Sequence, residues 1–99
     1  MNQETISLTR SDLLESDPSD RVALVETYVL SLLNSARASG ATPLEVTTHL
    51  AEAGMDSLQV VELKFSLDEL IGRESDVEMF ISNPTIRELS AAILAAAGL

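Results

Sequence analysis

The sequence contains no cysteine, no tryptophan and a single histidine, and its aromatic residues are one tyrosine and two phenylalanines. Without cysteine there is no disulfide, no thiolate nucleophile and no soft metal ligand. A lone imidazole does not make a zinc site of the usual type, which takes three or four nitrogen and sulfur ligands. With few aromatics, the core must consist of Leu, Ile, Val and Ala, and this composition favours packed helices.

Basic residues are also scarce: six stand against sixteen acidic residues, for a formal net charge of −10. Such a field repels nucleic acid backbones and anionic lipid surfaces, so we expect neither nucleic acid nor membrane as a partner. No run of 18 apolar residues and no signal-like N-terminus is present, which makes the cytoplasm the expected location. The charge serves solubility alone or docking to basic protein patches, and a monomer is the simplest expectation.

The length of 99 residues suits one small domain. Residues 1–17 show no sustained period, so we treat them as an N-terminal leader that either packs or stays mobile. The predicted domain spans residues 18–97. Its first helix is predicted from Pro18 to Arg37, where apolar residues recur at helical spacing: Val22, Val25, Val29, Leu32 and Leu33.

A second helix is predicted to begin at Ser57 with Asp56 as its N-cap, because Asp56 and Gln59 have the spacing of a capping box, and to end at Gly72. A long loop precedes it, with a short turn expected at residues 49–53. A short helix over residues 75–81 and a last helix capped by Thr85 and Glu88 complete the chain. The predicted fold is all-α, a small four-helix bundle of three main helices and one short helix.

Ser57 is the candidate functional residue, because it occupies the first position of the second helix, where another protein can reach its hydroxyl. An anion attached there would lie near the positive end of the helix dipole. The plain alternative is that Asp56 and Ser57 only cap the helix. A Ser57–His49–Asp hydrolytic triad is a weaker hypothesis, since the sequence has no Gly-x-Ser-x-Gly elbow.

The segment from Asp56 to Leu63, Asp-Ser-Leu-Gln-Val-Val-Glu-Leu, resembles the acyl carrier protein family, whose second helix opens with Asp-Ser-Leu and continues to Val-Glu-Leu. The helix order and the Asn83-Pro84-Thr85 step extend this resemblance over about residues 18–97. It implies that Ser57 receives 4′-phosphopantetheine from coenzyme A through a magnesium-dependent phosphopantetheinyl transferase. Asp56 and Leu58 flank the attachment site, no metal is resident, and the chain carries acyl thioesters without catalysing a reaction itself.

The Asn-Pro-Thr step is more similar to carriers of polyketide synthases than to those of bacterial fatty acid synthesis. The Asp before the serine differs from the Gly or His of most peptidyl carriers. The implied partners are an acyltransferase or adenylating enzyme and a ketosynthase or other synthase domain. Two alternatives remain: a peptidyl or aminoacyl carrier, and a helical interaction module without the arm. The chain fits a free-standing carrier as well as a domain of a larger synthase.

The second helix is the family's main recognition surface, which implies partner-binding roles for four residues: Gln59, Val61, Glu62 and Glu69. Asp56 and Asp68 are further acidic candidates, and Lys64 is expected on the exposed flank. A second set of residues would guide the arm or line a shallow acyl groove: Leu44, Val46, Met55, Leu58 and Val61. For each of these apolar residues, burial in the core is the competing interpretation.

Overall fold

The computed structural model describes residues 8–35, 44–54 and 56–99. Within these residues the chain forms helices and no strand, which confirms the all-α prediction. The elements are α1 (Arg10–Glu15), a 3-10 turn (Pro18–Asp20), α2 (Arg21–Ser35), a second 3-10 turn (Leu50–Ala53), α3 (Ser57–Ile71), α4 (Glu78–Ile81) and α5 (Ile86–Ala96).

The predicted apolar stripes supply the core. Side chains from α2, α3 and α5 interlock, and α2 packs mainly against α5. The buried members of the stripe predicted for the first helix are Val25, Val29 and Leu33, and α3 and α5 add Leu63, Leu67, Leu70, Ile71, Ile86, Leu89, Ile93 and Leu94. Val22, Leu32 and Val60 are half-buried at its margin. Leu, Ile and Val therefore carry the packing, together with Phe80 from α4.

The first predicted helix begins differently from the expectation. Residues Pro18–Asp20 form a 3-10 turn, and the α-helix starts at Arg21. Pro18 occupies the first position of that turn, where its missing N–H costs no hydrogen bond. The predicted end at Arg37 lies outside the described residues.

The segment that we treated as a leader contains α1, which packs onto the core. Thr9 and Asp12 form a capping box at its start, and Leu13 is completely buried. Two arginines fasten it: Arg10 Nη1 donates to the Ile71 carbonyl at 2.9 Å, and Arg21 Nε donates to the Leu13 carbonyl at 2.8 Å. This helix was not predicted, and it closes over the end of α3.

The loop before α3 is tied to the start of α5. The Leu50 N–H donates to the Pro84 carbonyl at 2.7 Å, and the Ile86 N–H donates to the Thr48 carbonyl at 3.0 Å. Asn83, with a φ of 62°, accepts a hydrogen bond on its side-chain oxygen from the Ala51 N–H at 2.9 Å. The Asn83-Pro84 step therefore fixes the approach of the chain to Ser57. The turn predicted at residues 49–53 is confirmed as the 3-10 turn Leu50–Ala53.

Candidate functional site

Ser57 is the first residue of α3, and its side chain is exposed. The capping box predicted before it is present: the Gln59 N–H donates to Asp56 Oδ1 at 2.8 Å, and the Asp56 N–H donates to Gln59 Oε1 at 3.1 Å. These bonds fix the first turn of the helix. The Ser57 hydroxyl is therefore presented at a rigid edge of the domain.

The start of α3 is electrostatically suited to an anion. The Val60 N–H donates to the Asp56 carbonyl at 3.1 Å, and the Gln59 N–H donates to the Asp56 carboxylate. Within the described residues the N–H groups of Ser57 and Leu58 make no hydrogen bond, and the first turn of the helix contains no acidic side chain. Free N–H groups at a helix start favour a phosphate, while the nearby Asp56 carboxylate opposes it.

Beyond Ser57, α3 exposes an apolar stripe. Leu58, Val61 and Phe65 are 65%, 60% and 68% exposed, and their spacing of three and four residues places them side by side. Glu62 and Glu69 are also exposed and fall along the same stripe. We call these five residues the docking face. Core packing, the competing interpretation for Leu58 and Val61, is wrong for both.

Phe65 is the largest exposed apolar residue of the docking face, and our reading of the sequence did not single it out. Its signal was its spacing of seven residues from Leu58 and four from Val61. On the buried side, Leu63 and Leu67 flank it in sequence. The sequence could therefore have predicted an exposed Phe65, because this residue falls on the side of the amphipathic helix that faces away from the core.

Three other side chains of α3 differ from the expectation. Gln59 is half-buried, and its amide oxygen is used in the capping box. Lys64 and Asp68 form an ion pair at 2.8 Å, with side chains only 19% and 17% exposed. Lys64 is therefore not an exposed flank residue, and Asp68 is not part of the exposed acidic surface.

A small groove lies beside the first half of α3, between the 3-10 turn Leu50–Ala53 and α4. Its volume is about 110 Å³. It is lined by Leu50, Ala51, Val60, Phe80, Ile81 and Asn83. The residues that we expected to line an acyl groove are elsewhere: Leu58 and Val61 face solvent, Leu44 and Val46 do not line it, and Met55 lies outside the described residues.

His49 is exposed, and its Nδ1 lies 3.0 Å from the Asn83 carbonyl. Since a carbonyl only accepts, this nitrogen must carry the proton. The triad hypothesis would require hydrogen bonds that join His49 to Ser57 and to an aspartate. Within the described residues no hydrogen bond joins His49 to Ser57 or Asp56. The same residues contain no cluster of His, Asp and Glu that would hold a metal ion, and no helix among them is long and apolar enough to cross a membrane.

The five described basic side chains are all engaged inside the molecule. Arg10, Arg21 and Arg73 donate to helix-terminal carbonyls. Lys64 pairs with Asp68, and Arg87 Nε pairs with Glu26 at 3.1 Å. In the described part of the chain, Glu62 and Glu69 have no such cation. The docking face is therefore apolar and negatively charged.

Comparison with known proteins agrees with this geometry. A family model described as the phosphopantetheine attachment site matches residues 28–93, more than half of the chain. Comparison with the curated proteins and with the solved structures gives no significant match. The members of this family carry 4′-phosphopantetheine as a covalent prosthetic group. The chain belongs to the phosphopantetheine attachment site family and is a carrier protein.

Proposed function

We propose that the chain is an acyl carrier protein that holds 4′-phosphopantetheine on Ser57. The observation that carries this proposal is the exposed Ser57 hydroxyl at the capped start of α3, inside the matched residues 28–93. The N–H groups of Ser57 and Leu58, which make no hydrogen bond among the described residues, fit the phosphodiester that this attachment creates. The arm supplies a terminal thiol on which acyl groups are held as thioesters.

In the attachment step, Ser57 Oγ attacks the β-phosphorus of coenzyme A, and a new O–P bond forms. The bond between that phosphorus and the bridging oxygen breaks, adenosine 3′,5′-bisphosphate leaves, and the serine proton passes to a base of the transferase. Asp56 directly precedes Ser57, so its carboxylate lies near the incoming diphosphate, and the two negative charges repel each other. A phosphopantetheinyl transferase with Mg²⁺ would offset this repulsion while the bond forms.

The docking face is the proposed contact surface for partner enzymes, with Gln59 at its edge. Leu58, Val61 and Phe65 offer apolar area that is otherwise exposed. Glu62 and Glu69 offer exposed negative charge that has no ion pair in the described part of the chain. An apolar centre with charged residues around it suits a small interface that binds basic partners transiently. The proposed partners are the transferase, an acyltransferase or adenylating enzyme, and a ketosynthase or other synthase domain.

We propose that the protein carries acyl groups and does not itself catalyse a reaction, and that it acts as a cytoplasmic monomer. Tethering keeps the acyl group near each partner in turn and raises its effective concentration. The groove of about 110 Å³ beside Val60 and Phe80 is the proposed resting place for the first carbons of the cargo. Its size suits a short apolar segment and not a long chain.

Polyketide biosynthesis is the pathway that we propose, and its support is in the sequence. The Asn83-Pro84-Thr85 step is similar to polyketide synthase carriers, and Asp56 before the serine favours an acyl carrier over a peptidyl carrier. In the fold, Asn83 and Pro84 hold the loop before Ser57, so a change of this step would alter how the serine is presented. A peptidyl or aminoacyl carrier is the competing assignment.

The experiment that tests the proposal is intact-protein mass spectrometry after incubation with a broad-specificity phosphopantetheinyl transferase, Mg²⁺ and coenzyme A. We expect the native chain to gain one phosphopantetheine and Ser57→Ala to gain none. Ser66→Ala is the matched control, because Ser66 lies on the same helix, and it should be modified as the native chain is. No gain on the native chain, beside a control carrier that is modified, would favour the interaction module without an arm.

A further inference from the structure

Among the described residues that line the groove beside α3, Asn83 alone has a polar side chain. The other lining residues are apolar: Leu50, Ala51, Val60, Phe80 and Ile81. Val60 comes three residues after Ser57 on the same helix, which corresponds to about 4.5 Å along the helix axis. The groove is therefore next to the proposed attachment site, and the end of a flexible arm can rest in it when the arm folds back.

Asn83 is held by hydrogen bonds to its side chain and to its backbone. The Ala51 N–H donates to Asn83 Oδ1 at 2.9 Å, and His49 Nδ1 donates to the Asn83 carbonyl at 3.0 Å. Because only an oxygen can accept from the Ala51 N–H, this bond also settles which atom of the carboxamide is the nitrogen. The orientation of the carboxamide at the edge of the groove is therefore fixed by the protein itself.

The nitrogen of this carboxamide, Nδ2, carries two N–H donors. Within the described residues neither of them donates to a protein atom, so water must satisfy them in the open groove. A saturated acyl chain that fills the groove displaces this water and offers no acceptor, which leaves a donor unsatisfied. A cargo that places an oxygen at this point replaces the lost hydrogen bond.

The size of the groove limits the cargo to a short group. Its volume of about 110 Å³ equals the liquid volume of roughly four water molecules. Every acyl group on the arm has the carbonyl next to the sulfur, so that oxygen cannot distinguish one cargo from another. Discrimination between short cargos therefore depends on an oxygen farther along the chain, and the β-carbon is the first position where acyl groups made by carbon–carbon condensation differ.

We propose that Asn83 determines which cargo the groove holds, by donating a hydrogen bond from Nδ2 to a carbonyl or hydroxyl oxygen on the β-carbon of a short acyl group. The groove then favours β-keto and β-hydroxy acyl groups over saturated groups of the same length. The proposal rests on the proposed carrier function, because the arm on Ser57 brings the cargo to the groove. It assigns a class of cargo to one named side chain.

The test compares two cargos on the full, isotope-labelled chain. The transferase loads Ser57 with arms that end in a butyryl or a 3-oxobutyryl group, each joined through an amide instead of a thioester so that it is not hydrolysed. Intact-protein mass spectrometry checks the loading, and an arm without an acyl group gives the reference spectrum. NMR then follows the side-chain NH₂ signals of Asn83 and the backbone amides of Ala51 and Ile81.

We expect the 3-oxobutyryl group to occupy the groove about two- to tenfold more than the butyryl group, the range that one hydrogen bond gives. The NH₂ signals of Asn83 should shift with the 3-oxobutyryl group and move less with the butyryl group. The amides of Ala51 and Ile81, which report on occupancy by either cargo, give the two populations.

Two matched variants locate the donor. Asn83→Asp keeps an oxygen for the Ala51 N–H and suits the φ of 62°, which asparagine and aspartate tolerate well, but it removes both N–H donors. It should abolish the preference for the 3-oxobutyryl group. Ser82→Asp adds the same charge one residue earlier, at an exposed position that does not line the groove, and should leave the preference unchanged.

Three results would overturn the proposal: equal occupancy by the two cargos in the native chain, an equal preference in Asn83→Asp and Ser82→Asp, or unshifted NH₂ signals of Asn83. The mass spectra keep this failure separate from failure of the carrier function. A chain that is loaded but shows no preference is a carrier whose groove does not distinguish oxygenated cargo. A chain that is not loaded would overturn both proposals, since no cargo then reaches the groove.

Discussion

Asp68 joins the second half of α3 to the loop that leads into α4. Its carboxylate accepts hydrogen bonds from the Ser75 N–H at 2.8 Å, from the Ser75 hydroxyl and from Lys64 Nζ at 2.8 Å. Burial by itself raises the pKa of this carboxyl, but the hydrogen bonds from Lys64 and Ser75 outweigh it, so the pKa lies below its ordinary value of 3.8. Asp68 is thus a stabilising contact only while it is ionised.

Acid is therefore expected to weaken this contact. A carboxyl whose pKa is lowered by folding stabilises the native state above its unfolded pKa, and this stabilisation is lost as the pH falls through the folded pKa. Asp68→Asn should be less stable than the native chain at neutral pH, and the difference should shrink below about pH 4. Urea unfolding at a series of pH values measures it.

Asp17→Asn is the matched control for that experiment. Asp17 precedes a 3-10 turn, and its side chain makes no cap hydrogen bond. Its stability should follow the native curve at every pH. A constant gap between Asp68→Asn and the native chain down to about pH 2.5 would contradict the role of the ionised carboxylate.

Phe65 is expected to matter for docking and not for folding. It is 68% exposed, so Phe65→Ala should change the free energy of unfolding by less than about 0.5 kcal/mol. If it is an anchor of the docking face, kcat/KM for modification by the transferase should fall by about fivefold or more, as for a side chain worth over 1 kcal/mol at an interface.

Val77→Ala is the matched change, because Val77 is 53% exposed but lies just before α4, away from the docking face. Steady-state rates with the chain as the varied substrate give the comparison. Equal rates for both variants would remove Phe65 from the interface. A large loss of stability in Phe65→Ala would show instead that the ring packs in solution.

At the scale of residues, the sequence predicts what depends on near neighbours. The box of Asp56 and Gln59 and that of Thr85 and Glu88 were read from spacing alone, because each involves residues three positions apart. The bond between Asp68 and Ser75 was not predicted, since it joins residues seven positions apart across a helix end. Side-chain partners of that kind depend on the path of the loop.

At the scale of elements, α1 is the clearest departure from the prediction. It has six residues, fewer than two turns, and a single buried side chain, so no periodic signal is available. What holds it is remote: the Ile71 carbonyl accepts from Arg10, 61 residues away. An isolated helix of this length is unstable in water, and its stability must come from the core that it covers.

Leu13→Ala tests that statement. Leu13 is completely buried, and its truncation should lower the free energy of unfolding by about 2–5 kcal/mol. The next residue gives the matched control, since Leu14 is 52% exposed and Leu14→Ala should change stability by less than about 0.5 kcal/mol. Chemical denaturation of both variants measures the difference. Equal effects would mean that α1 does not pack as described.

The boundaries of α3 and the start of α5 were predicted correctly because both helices begin with a capping box, whereas the start of α2 was placed one turn too early. The buried stripe of α3 and its end at Gly72, which has a φ of 73°, both follow from the sequence. The groove beside Val60 and Phe80 does not, because its walls come from three separate segments, residues 50–51, residue 60 and residues 80–83. Local periodicity places a residue on a face but does not say which element it meets.

At the scale of the whole molecule, negative charge far exceeds positive charge. The five basic side chains of the described segments are used on helix-terminal carbonyls or on carboxylates, while Glu62 and Glu69 remain exposed. Arg10, Arg73 and Arg87 are exposed as well, but acidic residues outnumber basic ones by sixteen to six. The field of the molecule is therefore mainly negative, and none of the described basic side chains pairs with the two glutamates of the docking face. Such a field accelerates encounters with basic proteins.

Added salt should slow those encounters without unfolding the protein. The Debye length shrinks from about 30 Å at 0.01 M to about 10 Å at 0.1 M, so attraction at a distance is lost first. We expect kcat/KM for modification of Ser57 to fall severalfold over this range, with less dependence in Glu62→Gln. Transferase kinetics at a series of salt concentrations, with circular dichroism on the same samples, check this.

A salt-independent rate would show that the negative field does not guide the partner. A parallel loss of helical signal would show that salt acts on the fold. Glu62→Gln also controls for an effect of salt on the transferase itself, because the same enzyme modifies both chains. Only a loss that is specific to the carrier supports steering by its charge.

The docking face is one stripe of one helix of fifteen residues, about 22 Å long. An ordinary protein interface covers about 800 Å² on each partner, so two enzymes cannot occupy this stripe together. Enzymes that act in succession must then take turns, and the residence time of each sets how soon the next can begin. A partner that binds too tightly would delay the next enzyme, so each partner must bind with modest affinity.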